Sequence, residues 1–355
     1  MKRGESGFFT EKISVNKALV IMFVIVFFLL FIGFIIGYLD IITIMFGDDS
    51  KTEVCGDGTF YGTCSLKKPY YCESGFLIEK ASICGCPDVL RKSGNVCQSV
   101  YQDKRKFVNL TYVLNGKRDY IPMNVFSDMA DYLGNISRMV TYEKGQLPFR
   151  VDFKLRYINE PEQHYLLLPL VVEIQNRAKE KSDQARIAIS LVQNIPFGKS
   201  QKQIVVGNGD TLDYSRYPYE VLYDNEGVCG EKSALLAYLL REIGYGVVIY
   251  YFKNQNHEAV GISCPSEYDY EDTGYCFVET SGPAIISDSS LIYSGGVRLS
   301  NNPELMLISE GLVLPDNLDE YDDAKKYSNA RQSSSIEVLN KIGEYYGLAE
   351  AYYLD

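Results

Sequence analysis

The stretch NEGVCGEKSALLAYLLREIGY, residues 225–245, predicts a helix that begins at a cysteine. Apolar side chains recur on one face of this helix, at Leu235, Leu236, Leu239, Leu240 and Ile243. Gly244 is typical of a helix end. Cys229 therefore lies at the N-terminus, where unpaired N–H groups and the helix dipole favour the thiolate over the thiol. The same N–H groups suit an oxyanion that forms when a thiolate attacks a carbonyl.

Three apolar, β-rich runs follow the helix: GVVIYYF, HEAVGIS and YCFVETS, which begin at residues 246, 257 and 275. His257 begins the second run and Glu279 lies in the third. Pairing as antiparallel strands would bring the imidazole and the carboxylate onto one surface, against the cysteine helix. A thiol, an imidazole and a carboxylate supply a nucleophile, a general base and a group that orients the base. We therefore predict a catalytic set of Cys229, His257 and Glu279.

The other eight of the nine cysteines have structural roles in this interpretation. Six lie in a short Gly-rich segment, and an even number favours three disulfides, in any of about 15 connectivities. These six are Cys55, Cys64, Cys72, Cys84, Cys86 and Cys97. A zinc or iron–sulfur site is the alternative, but such sites show paired C-x-x-C motifs. The segment contains only C-G-C, so we predict disulfides and no metal.

Cys264 and Cys276 flank the polar connection PSEYDYEDTGY and are predicted to bridge it. Cys229 then stays unpaired, which indicates an accident, an intermolecular bridge or a reactive thiol. Its place at a helix N-terminus favours a reactive thiol. The structural alternatives are a small buried apolar residue or a partner for Cys264 or Cys276.

The motifs GVCGEKS, NHEAVGI and FVETSGP, in this order, resemble the transglutaminase-like superfamily, and its membrane-associated archaeal members in particular. The resemblance covers about residues 183–290 and includes ISLVQNIPF as the opening helix, while the cysteine-rich segment with CGCP is a weaker match. It implies an α+β fold with a papain-like core, in which the helix with the cysteine packs on an antiparallel sheet. It also implies that Cys229 is the nucleophile and His257 the general base, with no metal or organic cofactor.

Two departures from the family pattern bear on the chemistry. Glu279 takes the place of the usual aspartate, which leaves Thr280 or a backbone carbonyl as alternative groups to orient the ring. The chain has no tryptophan, whereas cross-linking members use tryptophans to bind the oxyanion and line the amine tunnel. We therefore predict hydrolysis rather than amine transfer. Gln193 and Tyr219 are the candidate side-chain donors to the oxyanion.

An uncharged apolar run, ALVIMFVIVFFLLFIGFIIGYL, spans residues 18–39. As a helix it is about 33 Å long, enough to cross a bilayer. A cleaved signal peptide is the alternative, but the run is too long and no small-residue cleavage site follows. Lysines and an arginine precede the run and aspartates follow it, which predicts a cytoplasmic N-terminus and extracytoplasmic C-terminal domains. The net charge of −11 argues against binding to nucleic acid or anionic lipid headgroups.

Between these regions the sequence predicts a hairpin around Asn115-Gly116, a strand over residues 151–157 and a helix through Pro169 that carries His164 on one face. Ser182 is the predicted N-cap of the next helix. Two sequons, at Asn109 and Asn135, are candidate glycosylation sites on an outward-facing chain.

The predicted order is a cytoplasmic N-terminus (1–17), a membrane anchor (18–46), a cysteine-rich module (47–100), an α+β linking region (101–182), the transglutaminase-like core (183–300) and a helical tail (301–355). The predicted function is a membrane-anchored, extracytoplasmic cysteine hydrolase that cleaves amide or peptide bonds in a protein, a peptide or a cell-envelope polymer. The alternatives are a catalytically silent cell-surface binding module on the same fold and, less favoured, peptide N-glycanase chemistry.

Overall fold

The computed structural model describes residues 22, 24, 26–28, 30–33, 53–138, 140, 142–143, 145–205, 211–293, 297–300 and 302–348. The chain forms two compact units, Met1–Glu53 and Val54–Asp355. Within the described part, no helix has both the length and the apolar character to cross a membrane. Most of the predicted anchor lies outside the described residues, so the anchor stays a prediction.

The cysteine-rich segment consists of short hairpins tied together by disulfides. It contains β1 (Tyr70–Glu73), β2 (Phe76–Glu79), a helical turn α1 (Ala81–Cys84), β3 (Arg91–Ser93) and β4 (Val96–Gln98). Its bridges are Cys55–Cys72, Cys64–Cys84 and Cys86–Cys97. The predicted disulfides are therefore present, with a connectivity that the spacing alone does not determine.

This segment packs into the second unit and is not a separate module. The Asn176 side chain donates to the carbonyl of Leu77 (3.0 Å) and accepts the N–H of Leu77 (2.8 Å). The buried amide of Gln184 donates to the carbonyl of Gly56 at 2.7 Å. Residue 100 therefore marks no boundary between compact units, because long-range hydrogen bonds that sequence patterns do not reveal hold the segment in place.

A long hairpin follows the cysteine-rich segment, formed by β5 (Arg105–Leu114) and β6 (Lys117–Phe126). Its turn is the predicted Asn115-Gly116, where both residues have positive φ, 50° and 72°, as a tight hairpin turn requires. The hairpin is followed by α2 (Ser127–Asn135).

The predicted strand over residues 151–157 is wrong, because this region forms α3 (Arg150–Ile158). The Asp152 carboxylate accepts the N–H of Phe149 at 2.7 Å and so satisfies a backbone group at the helix start. Alternation of apolar residues in a short segment does not exclude a helix, and here the cap and the packing favour the helix.

Two long helices come next, α4 (Pro161–Arg177) and α5 (Lys181–Gln193). Pro169 lies inside α4, as predicted. His164 is on a face of α4, where its Nδ1 lies 3.0 Å from the hydroxyl of Tyr238. The N-cap of α5 is Glu180 and not the predicted Ser182, since the helix begins earlier, at Lys181.

The remaining elements include the predicted cysteine helix, α7. They are a small hairpin of β7 (Gln203–Val205) and β8 (Thr211–Asp213), then α6 (Pro218–Asp224), α7 (Cys229–Ile243), β9 (Val247–Phe252), β10 (His257–Ser263), β11 (Tyr275–Val278), β12 (Glu304–Ser309), α8 (Asp319–Ser333) and α9 (Ile336–Tyr346). Cys264 and Cys276 form the predicted bridge. The predicted helical tail is wrong at its start, where β12 adds a strand, and correct for α8 and α9.

A four-stranded antiparallel sheet carries the site, with strand order β11-β10-β9-β12. Val247, Ile249, Val260 and Ile262 belong to the main core with the apolar face of α7. On β10 and β11, Val260 lies opposite Val278, so the pairing continues toward the first residues of β10. The residue after β11, Glu279, therefore comes close to His257. The described fold is α+β, with a buried helix packed on an antiparallel sheet.

Candidate active site

The N-terminus of α7 positions Cys229 as the first residue of the helix. The Glu231 carboxylate accepts the N–H of Val228 at 3.0 Å and the N–H of Arg216 at 2.7 Å, which fixes the helix start. The N–H groups of Cys229 and Gly230 come next and have no acceptor inside the helix. All nine cysteines are among the described residues, and the half-buried Cys229 is the one without a disulfide.

His257, the first residue of β10, interacts with both the carboxylate and the thiol. Its Nε2 lies 3.0 Å from Oε2 of Glu279. Its ring is close enough to the side chain of Cys229 for that side chain to raise the pKa of His257. Because Nε2 is hydrogen-bonded to the carboxylate, Nδ1 is the ring nitrogen that can interact with the sulfur. The structure thus brings together the three residues predicted as the catalytic set.

Glu279 is held as an ionised carboxylate by a dense set of donors. Its Oε1 accepts the N–H of Thr280 at 2.9 Å, and the N–H and hydroxyl of Ser281 at 2.7 Å each. Its Oε2 accepts from the hydroxyl of Tyr293 and from His257. Burial alone raises the pKa of Glu279, but the hydrogen bonds and the charge of His257 lower the pKa to about 2. All the hydrogen bonds of this carboxylate are therefore made within the site.

The electrostatics of His257 follow from the same contacts. Burial by itself lowers the pKa of His257, whereas the hydrogen bonds to Cys229 and Glu279 and the charge of Glu279 raise the pKa to about 10. The ring is therefore an imidazolium at neutral pH.

Thr280, the alternative group to orient the ring, has a different role. Its hydroxyl lies 2.9 Å from the Ser233 hydroxyl and 3.3 Å from the carbonyl of Cys229. It therefore ties the end of β11 to the first turn of α7. Glu279 is the group that orients the imidazole.

Tyr293 is a member of the site that the sequence analysis missed. Its hydroxyl donates to Glu279, and its ring lies 4.8 Å from the imidazole of His257. Burial and the charge of Glu279 raise the pKa of Tyr293 far above its usual range, so the hydroxyl keeps its proton. The sequence gives no signal for it, because Tyr293 is one of 29 tyrosines and lies outside any periodic element.

Lys232, one turn after the cysteine, was also missed. It is fully buried, and its Nζ donates to the carbonyls of Gln193 (3.3 Å), Ile195 (2.6 Å) and Ser281 (3.2 Å). Burial lowers the pKa of Lys232 to about 8, while the charges of Glu279 and Cys229 oppose this change. The sequence does contain a sign of this role, because Lys232 lies within a predicted helix whose other residues are mostly apolar.

The structure does not place the two predicted oxyanion donors as expected. Gln193 gives both amide hydrogens to backbone carbonyls, those of Glu279 (2.9 Å) and Ala284 (3.0 Å). The fully buried Tyr219 accepts the N–H of Phe126 at 2.6 Å, in the core beneath the long hairpin. Neither side chain is positioned to donate to an oxyanion. The N–H groups at the start of α7 are the donors that remain.

The other predicted sites have simpler outcomes. Within the described ranges, no group of three or more His, Cys, Asp or Glu side chains could hold a metal ion. The sequon residues Asn109, on β5, and Asn135, at the end of α2, are both exposed. Their glycosylation stays a prediction.

Comparisons with known proteins add little. No protein-family model and no curated protein matches the chain. Among solved structures, calcium-bound Legionella pneumophila LapG matches at 14% identity and a TM-score of 0.26, over 50% of this chain and 98% of that chain. The EGTA-treated form matches at 15% identity, 51% and 98% coverage and the same TM-score of 0.26. At this score the likeness carries no argument, and nothing in it bears on the predicted archaeal resemblance.

Proposed function

We propose that the protein is a transglutaminase-like cysteine hydrolase that cleaves amide bonds of a polypeptide through a thioester at Cys229. The observation that carries the proposal is one connected set of side chains. An unbridged sulfur at the start of a buried helix lies near the ring of His257, whose Nε2 is held by the ionised Glu279. This is the arrangement of a nucleophile, a general acid–base and a group that orients it.

The reaction runs in two steps. The Cys229 thiolate attacks the amide carbonyl, a C–S bond forms, and the developing oxyanion accepts the N–H groups of Cys229 and Gly230. His257 then gives its proton to the leaving amine as the C–N bond breaks. In the second step His257 takes a proton from water, the hydroxide oxygen bonds to the carbonyl carbon, and the thiolate leaves. Glu279 stays ionised and holds the ring throughout.

Water is the proposed acceptor of the acyl group. The chain contains no tryptophan, so it lacks the residues that shield the thioester in cross-linking members of the superfamily it resembles. The four disulfides support a compartment outside the cytoplasm. We propose that the protein is anchored there by its N-terminal apolar run and acts on a protein, a peptide or a cell-envelope polymer.

The test uses the ectodomain from residue 47 onward, with labelled casein as the probe, and identifies new amino termini by mass spectrometry. Cys229→Ala is expected to reduce cleavage by at least about 1,000-fold, because it removes the nucleophile. His257→Gln is expected to have a similar effect. His164→Gln, which changes the other of the two histidines, is the matched control and should retain activity.

Cleavage by Cys229→Ala at the rate of the unmodified protein would refute the proposal. A folded protein that neither cleaves nor reacts with iodoacetamide would favour the alternative, a catalytically silent binding module.

A further inference from the structure

A cleft of about 540 Å³ opens beside the first turn of α7. One of its walls is α3, which contributes Arg150, Phe153, Lys154 and Tyr157. These positions follow the i, i+3, i+4, i+7 spacing of one helix face. The helix that the sequence analysis missed therefore presents two cations and two aromatic rings to the cleft.

The cleft reaches the backbone next to the nucleophile at Gly230. A Cβ atom on Gly230 would lie 2.9 Å from Oε2 of Glu258 and 3.2 Å from Nζ of Lys154. Lys154 in turn donates to the carbonyl of Gly230 at 3.1 Å and pairs with Glu258 at 2.6 Å. Gly230, the residue that follows Cys229 in the chain, lines the cleft, so a substrate in the cleft would lie against the first turn of α7.

Three of the four cations among the described residues that line the cleft already have carboxylate partners, and the first is Arg138, which lies 3.5 Å from the buried Glu220. Arg216 is buried, and its guanidinium lies 3.1 Å from Glu231 and 2.7 Å from Asp224. Lys154 is paired with Glu258, the one carboxylate among the described residues that line the cleft. These cations hold the structure together and are not available to a ligand.

Arg150 differs from these cations. Its side chain is 42% exposed, and the nearest carboxylate, on the 53% exposed Glu304, is 3.9 Å away. Its guanidinium lies over the ring of Tyr251, 3.6 Å from the centroid, which fixes the direction of the side chain. A carboxylate on a ligand can therefore replace Glu304 at little cost. Beside Arg150, Phe153 is 41% exposed and offers an apolar surface.

We propose that this cleft binds the substrate segment next to the scissile amide and selects an acidic segment, with a carboxylate at Arg150 and an apolar side chain on Phe153 and Tyr157. The proposal rests on the hydrolase function. It adds a substrate class, an acidic polypeptide with an adjacent apolar residue, in a chain whose own net charge is −11. The charge that would attract an acidic substrate is that of Arg150 at the rim of the cleft, and not the net charge of the protein.

The probes are peptidyl chloromethyl ketones that contain phenylalanine and either glutamate or its neutral isostere glutamine, in the first or the second position from the reactive group. The Cys229 thiolate attacks the methylene carbon, a C–S bond forms and chloride leaves. At low salt the best glutamate reagent is expected to alkylate Cys229 about threefold faster than the matching glutamine reagent. The preference should shrink as salt is added.

Three variants test the assignment to Arg150. Arg150→Gln is expected to remove the preference and Arg150→Glu to reverse it, while both keep the rate with iodoacetamide. Arg91→Gln, on the exposed β3, changes the charge equally and should keep the preference.

The outcomes separate the two proposals. Equal rates for the glutamate and glutamine reagents, or an unchanged preference in Arg150→Gln, would overturn the assignment of the cleft and leave the nucleophile intact. A folded protein in which neither the peptide reagents nor iodoacetamide alkylate Cys229 would overturn the hydrolase function, and the inference with it.

Discussion

The cysteine-rich segment and the helix α7 keep their cysteines in opposite states. Between residues 54 and 100 few side chains are fully buried, and three disulfides hold the short hairpins. In α7 every residue from Glu231 to Leu240 is buried, and packing together with hydrogen bonds holds the helix. The cysteine-rich segment needs its sulfurs for stability, whereas α7 does not. A thiol can stay unbridged at Cys229 because the structure around it is fixed by other means.

The two regions also use buried polar groups differently. Around α7, Lys232 and Glu279 are buried ions: Lys232 donates to the carbonyls of Ile195 and Ser281, and Glu279 is hydrogen-bonded to His257. Such groups are costly to bury and strongly destabilising to break. We therefore expect these hydrogen-bonded ions to stabilise the packing around α7, as the disulfides stabilise the cysteine-rich segment.

The largest effect is expected when Lys232 is changed to methionine. Three backbone carbonyls lose a charged donor, which is expected to lower the free energy of unfolding by about 4 kcal/mol. Urea denaturation without reductant measures this change. Lys326→Met, at an exposed position of α8, is the control and should leave the urea midpoint unchanged. A small change for Lys232→Met would show that the packing around α7 does not depend on its buried cation.

A smaller loss is expected when a bridge is removed from the cysteine-rich segment. The Cys55–Cys72 bridge closes a sequence separation of 17 residues. Replacing both cysteines by serine is therefore expected to cost about 3 kcal/mol in the same urea experiment. Cys229→Ala should change the free energy of unfolding by less than about 1 kcal/mol, because its sulfur is unbridged and half-buried. Equal losses for the two variants would contradict the comparison between the regions.

The two histidines provide the finest comparison, since they are expected to titrate on opposite sides of the usual value. Burial lowers the pKa of His164. Hydrogen bonds to Cys229 and Glu279, against the effect of burial, raise the pKa of His257 to about 10. NMR of histidine-labelled protein, assigned with His164→Gln, measures both. Two titrations near the ordinary value of about 6.5 would contradict the geometry of the site.

The raised pKa also has a consequence for stability. A base whose folded pKa exceeds its unfolded value binds more protons in the folded state. The contribution of His257 to the free energy of unfolding is therefore complete below about pH 6.5 and is lost as the pH rises toward about 10. His257→Gln should abolish this part of the pH dependence.

Features with a strong local pattern were predictable from the sequence. The helix from Cys229, the Asn115-Gly116 turn and the three β-runs each follow from spacing or turn chemistry. The strand β12 was missed although Met306 and Ile308 are buried and alternate with exposed neighbours. The four residues from 305 to 308 are all apolar, so the sequence ELMLIS shows no alternation of apolar and polar residues at these positions.

The three predicted residues of the site lie together, but their support depends on contacts between distant parts of the chain. Tyr293 reaches Glu279 from a later loop, and the three carbonyls bound by Lys232 come from two different regions. Local patterns do not contain such contacts. For the same reason the sequence analysis could not see that the amide of Gln193 is already occupied.

The most direct test is peptide mapping of the native ectodomain after alkylation by iodoacetamide at neutral pH, without reduction. The account predicts one modified cysteine, Cys229, and four bridges, Cys55–Cys72, Cys64–Cys84, Cys86–Cys97 and Cys264–Cys276. It also predicts that His257→Gln slows the alkylation. A bridge that contains Cys229, or a residue 229 that reacts only after denaturation, would contradict the central claim of a free and accessible nucleophile.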